Sequence, residues 1–357
     1  MEVKRDKTLD SIKGLTIIIV VLRHVIQGGA SDSDTVLIGN IMMAFEMPLF
    51  MVLSGYFGAK SFRDKKIDIV QLKEKIKRIT KAYIIPFISF FFIFKVLILK
   101  QYTGDLFELI KILTDDITIS LWYLFVIWVL GIVINISLFI ISKVNKKNKN
   151  KSESIYFIIV YFILLSPWVF VFLKKSSSFL GSKLILYYSI FYLIGYLVKC
   201  YRSEIKIYCS MWDIKDMIYS ISFILFSIIT CNISLLHTND NILGISIRVI
   251  SALSGIYIVF YLCYRYRDII NKSVFAYLGT YTLEIYYVHS LFIRVMDIDN
   301  KLPLFTIKGF TNSIILLATL SIFTWFLIIA IKSSKIMNFI IFGKGNMNID
   351  KVNLKLR

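Results

Sequence analysis

The chain has 357 residues, 57% of them hydrophobic, with a mean hydropathy of +0.72. Only 18% are charged, yet 42 Lys and Arg against 23 Asp and Glu give a formal net charge of +19. High apolarity with strong basicity excludes a soluble enzyme, a disordered chain and a nucleic-acid-binding domain; it points to apolar residues in lipid and basic loops beside an anionic membrane surface.

A bilayer core is crossed by about 20 apolar residues in a helix. Ten such runs follow along the chain, near residues 14–28, 36–58, 82–99, 119–142, 154–173, 184–199, 216–236, 243–263, 273–295 and 310–331. The expected fold is therefore all-α: a polytopic integral membrane protein of about ten transmembrane helices. It is read as a single membrane domain over 1–357 with no separate soluble domain, because the hydrophilic stretches are short. The first run is followed by no small-residue cleavage site and reads as a signal anchor. Roughly 31 of the Lys and Arg residues fall on the side of the N-terminal tail, the even-numbered loops and the C-terminal tail. The positive-inside rule then places both termini in the cytoplasm and the protein in the cell (plasma or inner) membrane as a multi-pass chain.

The most basic loops run from Lys60 to Lys81 and from Lys143 to Lys151. They read as solvated cytoplasmic loops near anionic membrane lipids, with no nucleic acid partner. The Gly343-Lys344-Gly345-Asn346 stretch follows no strand and lacks the Walker spacing, so it is not a phosphate loop. Cys200, Cys209, Cys231 and Cys263 form no CxxC pair and no zinc spacing.

The informative residues are those that break the apolar pattern, since a charge at mid-bilayer costs about 2.5–3.5 kcal/mol on insertion scales. The first run carries Arg23 and His24, the second Glu46, the eighth Arg248, and the ninth Glu284, His289 and Arg294. Their expected depths run from mid-bilayer outward, which suggests a polar cavity opening to the outside. His289 counts as about 24 Å into an unbroken ninth helix. His24 lies eleven residues after Lys13, about 16 Å along a helix and on nearly the same face. An elongated anionic donor of about pantetheine length fits between a cation at the cytoplasmic rim and this imidazole. No metal is expected, because no i, i+3 or i, i+4 ligand pair occurs.

Four motifs carry a resemblance. Arg5-Asp6-Lys7-Thr8-Leu9-Asp10-Ser11-Ile12-Lys13-Gly14, an apolar stretch and Arg23-His24 look like the opening signature of the membrane acyltransferase-3 family. Lys13 takes its basic position and His24 its histidine. Met47-Pro48-Leu49-Phe50, ending in Ser54-Gly55, is similar to the second motif. Leu121-Trp122-Tyr123-Leu124 resembles the Trp-Phe-Leu element. Leu278-Gly279 through Tyr286-Tyr287-Val288-His289 resembles the late motif. Two departures stand out: Glu46 occupies a position that is often His, and Arg78-x-x-Lys81 replaces Arg-x-x-Arg in the loop before the third span. That lysine lacks the planar fork of arginine.

The resemblance implies transfer of an acyl group, usually acetyl, from cytoplasmic acetyl-CoA to an acceptor hydroxyl at the outer side. The branch it points to acylates a cell-surface polysaccharide or a lipid-linked sugar precursor, alongside polysaccharide-synthesis partners. Acetyl-CoA is then a co-substrate, and no cofactor is bound permanently. His24 is the expected general base, with His289 and Glu284 as catalytic helpers. Arg5, Asp10, Lys13, Arg78 and Lys81 are the expected donor-binding set. Arg23, Glu46, Trp122, Tyr123 and Arg248 are expected near the acceptor or the thioester oxygen. Three other readings stand beside this one: an O-succinyltransferase, a glycan or lipid-linked sugar transporter using the same cavity, and a non-catalytic member of a polysaccharide assembly.

Overall fold

A computed structural model gives the architecture and describes residues 6–32, 37–58, 68–98, 106–144, 153–174, 179–201, 212–235, 238, 241–295 and 301–345. In chain order the helices are α1 (Lys7–Gly29), α2 (Leu37–Gly58), α3 (Ile69–Phe92, running on as a π-helical turn Ile93–Ile98), α4 (Leu106–Asp115), α5 (Trp122–Val144), α6 (Glu153–Lys174) and α7 (Ser182–Cys200). Then come α8 (Trp212–Asn232), α9 (Ile242–Arg265), α10 (Arg267–Ile270), α11 (Val274–Leu278), α12 (Thr282–Val295), α13 (Ile307–Ser333) and α14 (Lys335–Phe342). Among the described residues there is no strand, only an isolated bridge between Ala30 and Leu302. Helices are the expected solution in lipid, where each backbone polar group must be satisfied within its own segment.

Eight helices are long and apolar enough to cross a membrane: α2, α3, α5, α6, α7, α8, α9 and α13. They coincide with eight of the ten expected runs. The other two runs are helical but different in kind. Helix α1 carries Asp10, Lys13, Arg23 and His24. The ninth run is not one helix; it holds α11 and the 14-residue α12, parted by a turn at Gly279–Tyr281, while α10 lies ahead of it across the turn Asn271–Ser273. The depth of His289 counted along an unbroken helix is thereby corrected. The hydrophobic pattern continues across the Gly279–Tyr281 turn, so it does not register the break. A second correction concerns Arg78 and Lys81. They lie within α3, whose start at Ile69 is fixed by Asp68 accepting from Gln71 N at 2.7 Å, and not in a loop. Helices α4 and α14 are too short to span and have no counterpart among the expected runs.

The chain folds as two compact units, each built from two stretches of sequence. The first comprises 1–57 and 191–325; the second comprises 58–190 and 326–357. In the first, α2 is 67% buried along its apolar window, whereas α8 is only 17% buried and presents its apolar side chains outward. Asn40 ties these two together: its amide donates to Thr230 O and Ile233 O at 2.7 and 2.8 Å, and its Oδ1 accepts from Leu235 N. Helix α2 runs through Pro48, whose missing N–H removes one rung of the helix beside Glu46.

Two close backbone crossings order the first unit. A Cβ on Gly14 would lie 1.9 Å from Phe275 O, and one on Gly279 would lie 1.8 Å from Asp10 O. Likewise a Cβ on Gly55 would meet Tyr192 O at 2.0 Å, and one on Gly195 would meet Val52 O at 1.9 Å. Only glycine permits such contacts, which explains Lys13-Gly14, Ser54-Gly55 and Leu278-Gly279 in packing terms. Gly14→Ala is expected to cost about 1–3 kcal/mol, because the facing backbone cannot give way. Gly28→Ala, where the nearest atom is the flexible Leu316 Cδ2 at 3.4 Å, is the tolerated control. Thermal unfolding of the two variants in detergent checks the difference.

In the second unit α5 is the central helix, also 67% buried, and α6 is only 17% buried. Polar ties join α3 to α5: Lys75 Nζ donates to the buried Asn135 Oδ1 at 3.0 Å, and Trp128 Nε1 donates to Thr80 Oγ1 at 3.0 Å. Helix α14 packs on α3. Lys81 Nζ sits 4.8 Å above the Phe339 ring, and the left-handed Gly343 (φ 63°) that ends α14 abuts Lys81 O.

Candidate active site

Helix α1 begins where Asp6 accepts from Thr8 N at 3.1 Å. Its first turns are buried against the segment that follows α9. Ser11 Oγ donates to Ile270 O at 3.3 Å, and Asn271 Nδ2 donates to Thr8 Oγ1 at 3.1 Å. The Gly14 and Gly279 contacts then hold α1 tightly against the α11–α12 segment. Ten residues beyond Gly14 stands His24; ten residues beyond Gly279 stands His289. The two imidazole rings meet, with centroids 5.5 Å apart and planes tilted by 38°. The glycines thus set the level at which the histidines face each other.

The ring nitrogens have distinct partners. His24 Nδ1 lies 3.1 Å from Gln27 Oε1, and His289 Nδ1 lies 2.6 Å from Ile285 O. Both partners are acceptors, so in the neutral rings Nδ1 carries the proton and Nε2 the lone pair. His289 is fully buried, its Nε2 has no hydrogen-bond partner among the described residues, and the Tyr286 ring lies 5.7 Å from it. His24 is half-buried and so the more accessible of the two. The pair therefore offers two acceptor nitrogens, one on a half-buried ring and one on a fully enclosed ring.

Arg23 and Glu46 form an ion pair between α1 and α2, Arg23 Nη1 donating to Glu46 Oε1. The Glu46 side chain is 2% exposed and that of Arg23 19%, so the pair is largely desolvated. This gives Glu46 a partner that its sequence position did not reveal. Glu284 is fully buried on α12, and Arg248 is half-buried on α9.

At the other end of α1, Lys13 Nζ donates to Asp10 Oδ1 at 3.2 Å and lies 3.8 Å over the Phe57 ring. Asp10 is buried, so it fixes the lysine head and is itself poorly placed to meet a ligand. Lys13 and His24 share one uninterrupted helix, as the eleven-residue spacing predicts. Among the donor residues expected from the sequence, Arg5 lies outside the described residues.

Arg78, Lys81, Trp122 and Tyr123 belong to the second unit. Arg78 is exposed on α3, and Lys81 is half-buried under α14. Trp122 stacks on Tyr188 with centroids 5.2 Å apart, and Tyr123 is buried. Among the described residues no three His, Cys, Asp or Glu side chains gather as a set of metal ligands. Gln27 is the residue that sequence reasoning missed. Its one-turn spacing from His24 was the available signal, but a glutamine near the end of an apolar helix has many plainer roles.

Comparison with known proteins gives one result at the family level. The family model described as an acyltransferase domain matches residues 6–333, nearly the whole chain. No curated protein and no solved structure matches it. The match spans α1 with its histidine, the buried Arg23–Glu46 pair and the α11–α12 segment that carries His289, and the chain belongs to the acyltransferase 3 family.

Proposed function

We propose that this membrane acyltransferase is an O-acetyltransferase that moves acetyl from cytoplasmic acetyl-CoA to a hydroxyl of a cell-surface polysaccharide or its lipid-linked precursor. The observation that carries the reading is the half-buried His24, with Nδ1 engaged by Gln27 and Nε2 left as a base. A sugar hydroxyl is a weak nucleophile at neutral pH, and an imidazole that accepts its proton during attack removes that difficulty. The hydroxyl oxygen bonds to the thioester carbonyl carbon as His24 Nε2 takes the proton. The tetrahedral intermediate collapses, the C–S bond breaks, and the departing thiolate takes the proton back from the imidazolium.

The remaining roles are proposals of the same kind. Lys13, steadied by Asp10, holds a donor phosphate; Arg5, Arg78 and Lys81 are assigned to the donor on charge alone. Arg23 has five N–H donors and spends part of them on Glu46, leaving others for the developing oxyanion or the acceptor. Arg248, Trp122 and Tyr123 remain acceptor-side assignments, and His289 with Glu284 supports the base. The cell membrane is the proposed location.

Mass spectrometry of the surface glycan from cells with and without the protein tests the reading. The expected result is loss of one ester, whose mass separates acetyl from succinyl, with glycan export intact. An unchanged ester pattern, or lost export with normal esters, contradicts it.

A further inference from the structure

We propose that Gln27 is a positioning residue for catalysis: its side-chain oxygen holds His24 as the Nδ1–H tautomer and so keeps Nε2 free to act as the base. The inference rests on the assignment of His24 as general base made above. Gln27 stands three residues after His24, one turn along α1, where side chains of a helix meet. Its Oε1 is 3.1 Å from His24 Nδ1. Among the described residues no other hydrogen bond reaches the His24 ring, so the tautomer depends on this contact. A free imidazole has no such constraint and favours the opposite form, with the proton on Nε2.

The orienting residue is itself held. Gln27 O accepts from Lys301 Nζ at 3.5 Å. The chain just past the end of α1 is clasped by the 301–304 segment: Ser31 N donates to Leu302 O at 3.1 Å, and Leu304 N donates to Asp32 Oδ1 at 2.8 Å. Ile26, Ala30 and Leu304 form a small buried cluster beside it, with Met42 packed against them. A segment from the far end of the sequence thereby fixes the turn from which Gln27 reaches back to the base. The logic is that of a His-orienting carboxylate in a catalytic triad, with a neutral amide in its place.

The test uses the full chain, labelled with 15N-histidine, in lipid. The sequence has only three histidines, so the His24 ring signals are assigned by comparison with His24→Ala. The wild-type ring is expected to carry its proton on Nδ1. Gln27→Met removes the acceptor at similar volume, and Gln27→Asn shortens it; either is expected to move the proton toward Nε2. Release of CoA from acetyl-CoA is expected to fall about 10²-fold in both, less than the roughly 10⁴-fold cost of a wrong tautomer where the orienter is a carboxylate. Gln27→Glu restores an acceptor, and is expected to restore the Nδ1–H form and most of the activity.

A ring that stays Nδ1–H in Gln27→Met and Gln27→Asn overturns the proposal whatever the activity, because the tautomer is read without turnover. A proton that moves with no change in rate overturns the positioning role. If His24→Ala also keeps full activity, it is the assignment of the base that has failed.

Discussion

Replacing His24 by Ala is expected to lower acyl transfer by about 10²–10⁴-fold, the usual contribution of a positioned general base. The fold should survive, because His24 is half-buried and its contacts are to one glutamine and one neighbouring ring. The backbone level of α1 is set ten residues earlier by Gly14 and does not depend on the imidazole. Rates of CoA release, measured on variant and wild type with matched thermal stability, check this. His289→Ala is the informative companion. His289 is fully enclosed, so its loss leaves a cavity and lowers stability as well as rate. Equal rates for wild type and His24→Ala would remove the base from the mechanism.

Breaking the Arg23–Glu46 pair at Glu46 is expected to destabilise the protein by about 3–5 kcal/mol, the cost of stranding a buried charge. Glu46→Ala leaves the Arg23 guanidinium, 19% exposed, without its carboxylate. The double variant Arg23→Met/Glu46→Leu is expected to recover most of that stability, since apolar replacement of both partners removes the stranded charge. Activity should not recover in the double variant if Arg23 contacts the reacting groups. Thermal unfolding in detergent and CoA release, measured together on the three proteins, separate the structural from the catalytic contribution. A single Glu46→Ala variant as stable as wild type would show that the pair is not desolvated as the structure indicates.

The long apolar helices could be read in the sequence because lipid imposes one rule, about 20 apolar residues per crossing, on all of them. Eight of the ten expected runs are such helices. The rule fails at the ninth, where the chain turns at Gly279–Tyr281 inside an apolar stretch. Hydropathy records where a segment prefers to lie and not whether its backbone is broken. It also passes over α4 and α14, whose 10 and 8 residues are too few to cross.

The site was legible in its residue types and not in its pairings. Arg23, His24, Glu46 and His289 stand out because ionisable groups are costly inside a membrane. Which of them meet is decided by helix packing, and hence by contacts such as Gly14 against Phe275, that no single segment encodes. Lys13 shows the same limit. Its spacing to His24 puts both on one continuous helix, yet its pairing with Asp10 and its seat on Phe57 appear only in the fold. Gln27 carried no signal by type, and it acquires meaning only from its distance to His24.

Acylation of an acceptor on the outer side by a donor on the cytoplasmic side, through His24, is the expected reaction. Sealed vesicles of one orientation, holding this protein and the surface glycan of the cell that makes it, test it most directly. Acetyl-CoA labelled in its acetyl group is supplied only on the face bearing the basic loops. Labelled ester is expected on glycan at the opposite face with wild-type protein and almost none with His24→Ala. Label appearing equally with His24→Ala, or only on glycan sharing the donor's face, would contradict it.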